Sequence, residues 1–248
     1  MVYVLSDVHG NERRFDSIME QIKIKPDDTL YILGDVVDRH PGGIRILRKI
    51  MKMPNVKMLL GNHEYMMLNA LGSPYDASEE SSDLLQRKAL RLWYSNGGKV
   101  THDYLKHIRK TQRSEVVDFL RGLPLNIDVA VNGMQYKLVH GAPVENYIES
   151  SVYDSPAQFA VWERLYRDEI PSSDYVLVFG HTPTAHYQRS IPMKPWYGDN
   201  CIGVDCGCGY PETGYDRHLG RLACLCLDNG MVFYSDESKS LQSAVVAH

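Results

Sequence analysis

Five times in this chain a short apolar run stops at a cluster of Asp, Asn or His, and this repeated punctuation constrains the fold more than any other feature. Val2–Leu5 runs into Ser6-Asp7-Val8-His9-Gly10, and residues 30–33 into Gly34-Asp35, followed by Asp38, Arg39 and His40. Residues 56–60 run into Gly61-Asn62-His63-Glu64, 136–139 into His140-Gly141, and 175–179 into Gly180-His181-Thr182. Apolar runs of this length, bounded by glycine and polar residues, are expected to be buried strands. A single Asp or His after a strand is ordinary turn chemistry. Five together point to a sheet-based fold whose polar groups gather beyond the carboxyl ends of the strands.

The intervening segments set the fold class. Residues 11–24 place Phe15, Ile18, Met19 and Ile22 at helical spacing, and Pro41-Gly42-Gly43 opens a second helix through Ile44, Leu47, Ile50 and Met51. Strand, helix and strand in alternation predict a layered α/β fold with a parallel sheet at its centre. Residues 64–122 turn helical and more polar, with segments over 64–71 and about 83–94, a break at Asn96-Gly97-Gly98 and a run through Leu120. This insertion is expected to be a helical lid or flank, and the break is read as a helix C-cap. Beyond Leu123-Pro124, runs over 127–131 and 134–139 flank Asn132-Gly133, and runs over 222–227 and 231–234 flank Asp228-Asn229-Gly230. These hairpin signals predict a second, antiparallel-rich sheet. One domain is expected over 1–234, with a polar, loosely held tail over 235–248.

Composition narrows the function classes. The 248 residues are 44% hydrophobic and 23% charged, an ordinary globular balance, and the net charge of −4 leaves no basic footprint for nucleic acid. No window approaches 18 consecutive apolar residues, so neither a membrane nor a nucleic-acid partner is expected. The first strand reaches its motif by Asp7, which leaves no room for a signal peptide, and a cytoplasmic protein is expected. The five cysteines are then reduced thiols. Cys206 and Cys208, and Cys224 and Cys226, are separated by one residue rather than the two of a zinc knuckle, so they are read as packing groups on one strand face.

Asp7, His9, Asp35, Asn62, His140 and His181 make a set of oxygen and nitrogen donors without thiolate, which suits Mn²⁺, with Fe or Zn²⁺ as alternatives. Six donors are too many for one catalytic ion with open positions. Two divalent ions are therefore expected, and Asp35, in the middle of the array, is the natural bridge.

The motifs SDVHG (6–10), GDVVDRH (34–40), GNHE (61–64), HG (140–141) and GHT (180–182), in this order, resemble the calcineurin-like metallophosphoesterases. Within them the chain is similar to the phosphoprotein phosphatase family in its short bacterial and phage form, because GHT continues with Pro183 rather than reaching a further His. The resemblance implies a sandwich of two mixed β-sheets flanked by helices, with a dinuclear site at the sheet edge. It assigns Asp7, His9 and Asp35 to one metal and Asp35, Asn62, His140 and His181 to the other. It also implies His63 as general acid beside the Asp38 carboxylate, and Arg39 and Arg164 as phosphate-binding cations.

Two positions depart from the family pattern: Ser6 and His40 stand where most relatives have glycine, and neither is expected to supply a ligand. A further departure is longer: between Cys208 and Arg221 the chain carries an insertion where short relatives turn more tightly. The corresponding family loop overhangs the site, so Tyr210 to His218 is expected to help select substrate. The function so implied is a metal-dependent phosphomonoesterase, in which a metal-bridged water attacks phosphorus in line. Its substrates would be phosphoserine or phosphothreonine, or phosphotyrosine, in proteins or as small phosphate esters. A symmetrical bis(5′-nucleosyl) tetraphosphate hydrolase is the alternative on the same motifs, and a non-catalytic scaffold a third reading.

Overall fold

The alternation of the first sixty residues folds as two consecutive βαβ units. In a computed structural model of the chain, which describes residues 1–72, 79–149, 152–166, 174–211 and 219–235, β1 (Val2–Leu5), β2 (Thr29–Ile32) and β3 (Val56–Met58) lie side by side and parallel. The crossovers are α1 (Glu12–Ile22) and α2 (Gly43–Ile50). Asn11 caps α1 by accepting from the Arg14 N–H, and the helix buries Phe15, Ile18 and Ile22 at the expected spacing.

Among the described residues of 62–121 there are four helices: α3 (Asn62–Leu71), α4 (Glu79–Ser95), α5 (Lys99–Lys106) and α6 (Lys110–Arg121). They are a flank rather than a detached lid, because Trp93, Leu105, Val116 and Leu120 bury in the same apolar cluster as Phe15, Ile18, Leu30 and Leu47.

The second half builds on β4 (Asn126–Val131) and β5 (Met134–Val139), then α7 (Pro156–Trp162), β6 (Val176–Phe179), β7 (Trp196–Gly198), β8 (Cys201–Gly203), β9 (Ala223–Cys226) and β10 (Val232–Tyr234). Asn132 and Gly133 both take positive φ, the backbone a tight hairpin needs between β4 and β5.

Two five-stranded mixed sheets result, ordered β10-β9-β1-β2-β3 and β4-β5-β6-β8-β7. This corrects the sequence reading in two ways. The β9–β10 hairpin joins the first sheet, antiparallel to β1, instead of extending the second. The second sheet is not dominated by antiparallel pairs, since β5, β6 and β8 run parallel and only its edge strands β4 and β7 oppose them. Parallel β5 and β6 bring His140 and His181 out at the same edge.

Alternation along the strands separates the layers. Val4, Tyr31, Leu138, Val178 and Leu225 fill the space between the sheets, whereas Leu5, Leu30, Ile32, Cys224 and Cys226 face the helices. All five cysteines are buried and unpaired, as their reading as packing groups expects. Ser235 is not a loose end: its N–H donates to Leu222 O, and its hydroxyl accepts from Leu222 N–H. Residues 236–248 lie outside the described residues. Among the described residues no helix is long and apolar enough to cross a membrane.

Candidate active site

Where the strands stop, the backbone leaves ordinary geometry. Among the described residues nine non-glycine positions have positive φ, and six of them are Asp7, His9, Asp35, Asp38, Arg39 and His181. Such conformations cost free energy and persist where surrounding contacts enforce them. Here the β1 and β2 loops are laced together: Asp7 N–H donates to Gly34 O, His9 N–H to Asp35 O and Gly10 N–H to Val36 O. Glu64, fully buried in the first turn of α3, accepts from the N–H groups of Asp35 and Val36 at 2.8 Å, Val37 at 3.1 Å and Gly61 at 3.2 Å. Burial pushes its carboxyl up, and the N–H groups of Val37 and Asp35 oppose that shift.

Three histidines are fixed by one device. His140 Nδ1 lies 2.6 Å from Leu33 O, His181 Nε2 is 3.1 Å from Trp162 O, and His9 Nδ1 is 3.3 Å from Val37 O. A nitrogen facing a carbonyl carries the proton, so the other ring nitrogen of a neutral imidazole presents a lone pair. Those lone pairs converge on acceptors. His140 Nε2 and His181 Nδ1 stand 2.9 and 3.0 Å from Asn62 Oδ1, and His140 Nε2 is 3.5 Å from Asp35 Oδ1. His9 Nε2 lies 3.7 Å from both Asp7 Oδ1 and Asp35 Oδ2.

Acceptors facing acceptors, all buried, lack the positive charge that would hold them together. A divalent cation supplies it, so the donor set fits the metal ions expected from the sequence. Two groups of metal-ligating side chains overlap here, His9-Asp35-His63 and Asp35-His140-His181, and Asp35 belongs to both. The titration directions agree with this. Burial pushes the Asp35 carboxyl well up, with Asp7 and Glu64 adding to it against the pull of His63. Burial, then Arg39 and His63, hold His9 well down; burial, then His140 and Arg164, do the same to His181.

Asp7 is oriented from its outer oxygen, Oδ2, which accepts from the Ser6 hydroxyl at 2.5 Å and from His181 N–H at 3.0 Å. The Ser6 side chain lies against Gly180, where an added Cβ would meet Ser6 Oγ at 2.0 Å and Asp7 Oδ2 at 2.6 Å.

His63 differs from the other imidazoles. Its Nδ1 is 2.7 Å from Asp38 Oδ2, its backbone N–H donates to Asp35 Oδ1, and Arg39 Nη2 lies 3.4 Å from its Nε2. The guanidinium beside Nε2 disfavours a metal cation there, which separates His63 from the ligand set although its position is close enough.

A cavity of about 300 Å³ opens onto these groups and is lined also by Arg164, Asp205 and Tyr210. Arg164 Nη1 donates to His181 O and Thr182 Oγ1, both at 3.3 Å, so the guanidinium is held at the cavity wall. A second cavity, about 680 Å³, adjoins it through Arg39 and Asn96 and is lined by His40, Ser95, Gly97 and Pro211. His40 thus borders the approach rather than the donor set. Of the 210–218 loop only Tyr210 and Pro211 are described, and residues 212–218 lie outside the described residues. The Asn96-Gly97-Gly98 break is more than a cap, because Asn96 lines both cavities and Gly97 O accepts from Arg39 N–H.

The predicted metal-ligand, acid and phosphate-binding residues, and Tyr210, therefore lie in or against one cleft. The sequence reading missed Glu64, although it stands inside the GNHE motif, and Asp205, which follows the short strand β8 with the same apolar-run-then-Asp grammar. Burial, with Asp7 adding, pushes the Asp205 carboxyl well up.

A model of the calcineurin-like phosphoesterase family matches residues 1–210. The chain belongs to that family. Its members are metal-dependent hydrolases of phosphate esters, in agreement with the overlapping donor groups. A symmetrical bis(5′-nucleosyl)-tetraphosphatase of Salmonella typhimurium is 38% identical over 68 residues, which is 27% of this chain and 24% of that protein. The match thus spans about a quarter of the relative's length. Among solved structures, a provisionally assigned diadenosine tetraphosphatase superposes with a TM-score of 0.58 at 17% identity, over 94% of this chain and 91% of its own. A cold-active protein-tyrosine phosphatase of Shewanella superposes with a TM-score of 0.53 at 18% identity, over 95% and 78%. At such identities the likeness is one of fold.

Proposed function

We propose that the chain is a dinuclear-metal phosphomonoesterase whose substrates are phosphoserine or phosphothreonine in proteins. Asp7, His9 and Asp35 would hold one cation, and Asp35, Asn62, His140 and His181 the other, with Mn²⁺ expected from the donor set and Fe or Zn²⁺ as alternatives. Bound there, the ions would neutralise phosphoryl charge and acidify a water near neutral pH.

The chain's own groups do the rest. Arg39 and Arg164 line the cavity as cations for the phosphoryl oxygens. As the bond from phosphorus to the leaving oxygen breaks, that oxygen keeps the electron pair and takes a proton from His63 Nε2. Water supplies the oxygen of the new bond and the proton that restores His63. Asp38 on Nδ1 stabilises the protonated ring and fixes its direction.

The observation that carries the substrate class is this buried His63–Asp38 pair. An alkoxide from serine or threonine leaves poorly unless protonated, whereas a nucleoside diphosphate leaves readily as an anion. A built-in acid is therefore most useful against alkyl esters. The second reading, hydrolysis of symmetrical dinucleoside tetraphosphates, is favoured by the adjoining cavity, which has room beside Arg39 for a nucleotide leaving group. Five buried, unpaired thiols favour a reducing compartment, the cytoplasm.

Turnover of a phosphoserine peptide, a phosphotyrosine peptide and diadenosine tetraphosphate, each with Mn²⁺ and with chelator, tests the proposal. Metal-dependent preference for the phosphoserine peptide is expected. Preference for the dinucleotide moves the chain to the second reading, and absence of turnover with any metal leaves the donor set a binding site alone.

A further inference from the structure

Helices α4 and α5 of the flank reach into the His63–Asp38 pair, and none of their residues figures in the proposal above. Trp93, in the last turn of α4, donates its indole N–H to Asp38 Oδ2 at 2.9 Å. Thr101, in α5, donates its hydroxyl to Asp38 Oδ1 at 2.6 Å and accepts from the Asp38 backbone N–H at 3.0 Å. With His63 Nδ1 on Oδ2, every oxygen of this fully buried carboxylate is occupied, and its backbone is held in the same grip.

The clamp is built, not incidental. Trp93 is itself fully buried and stacks on His102 with ring centroids 5.5 Å apart, and His102 Nδ1 meets the Tyr94 hydroxyl at 2.6 Å. The turn between the two helices closes against the indole so tightly that a Cβ at Gly98 would meet Trp93 Cδ1 at 2.2 Å. Asp38 has φ of 72°, a backbone conformation that needs such enforcement.

We infer that Trp93 and Thr101 are positioning residues for proton transfer: they hold the Asp38 carboxylate so that His63 Nε2 is presented to the leaving oxygen. This rests on the phosphomonoesterase reading and adds to it that α4 and α5 act on leaving-group protonation, not on phosphate or metal binding. The dependence has a direct signature. An alkyl leaving group needs the proton, whereas p-nitrophenolate leaves as a stable anion and does not.

The test compares the metal-loaded full chain with Thr101→Val, Thr101→Ser and Trp93→Phe on a phosphoserine peptide and on p-nitrophenyl phosphate, with melting temperature and bound metal measured alongside. Thr101→Val and Trp93→Phe are expected to lower kcat on the peptide by about 10- to 100-fold, with KM and the aryl-ester rate changed by no more than about threefold. Thr101→Ser, which keeps the hydroxyl, restores the peptide rate. Equal loss on both esters, or no loss on either, overturns the positioning role while the phosphomonoesterase reading stands. If Thr101→Val does not fold, Thr101→Ser and Trp93→Phe decide alone. Failure of the unaltered chain on both esters overturns the reading of the site, and the role of the clamp with it.

Discussion

The first sheet sends to the cleft Asp7, His9, Asp35 and Asn62 together with the His63–Asp38 pair, whereas the second sends His140, His181 and Arg164. The two edges are held differently. Five of the six site residues with positive φ lie on the loops of the first sheet, where carboxylates crowd together, and only His181 lies on the second. Their anchors cross, however. His140 is oriented by Leu33 O of the first sheet, and Asp7 accepts from His181 N–H of the second. Each edge thus helps to set a ligand of the other, so the complete site needs both sheets in register.

The largest effect should come from the one donor common to both groups. Asp35→Asn is expected to lower turnover by about 10³-fold and to remove both ions, whereas His181→Gln, confined to the second edge, leaves one ion per chain. Metal analysis after gel filtration, alongside turnover, checks the pair. Equal loss from the two variants would mean that the edges are not separable.

The next effect is on stability. Glu64→Gln weakens the side chain that binds three consecutive N–H groups of the Asp35 loop, and is expected to cost about 2–4 kcal/mol in denaturant unfolding. On the proposed two-ion site, metal removal would act on both edges at once. An ion at a hundred times its Kd stabilises by about 2.7 kcal/mol, so chelation should lower Tm by about 5–10 °C.

In chelator the imidazoles give the pH dependence a sign. His9 and His181 have folded pKa values well below the ordinary 6.5, so the unfolded chain binds more protons between the two values. Their contribution to stability is present above about pH 6.5 and is lost as pH falls toward the folded values. His181→Gln should flatten this limb in thermal scans, and an unchanged slope would place the titrating groups elsewhere.

The smallest effect expected is on thiol chemistry, since no cysteine serves either edge. Burial raises all five thiols, Cys208 to about 12. Alkylation at pH 8 should modify none before unfolding, and a fast-reacting thiol in the native chain would contradict their role as core groups.

The donor set was legible in the sequence because each member follows an apolar run, and parallel strands deliver such ends to one edge. The His63–Asp38 contact could be anticipated from the resemblance alone. What holds Asp38 could not, because Trp93 and Thr101 lie 55 and 63 residues away, and helix periodicity makes Trp93 look like any core aromatic. The β9–β10 hairpin was placed in the wrong sheet for a related reason: turn chemistry fixes which strands pair locally, and not which sheet the hairpin joins.

The contact between Ser6 and Gly180 ties the two halves of the gene product together across 174 positions. With no space for a methyl group at 180 beside Ser6 and the Asp7 carboxylate, position 180 cannot drift while both stand there. In a selected combinatorial library, alanine at 180 should be rare even in clones that carry glycine at 6, because an added Cβ still meets Asp7 Oδ2 at 2.6 Å. The point where the sheets touch would then be recorded as the intolerance of one codon to change.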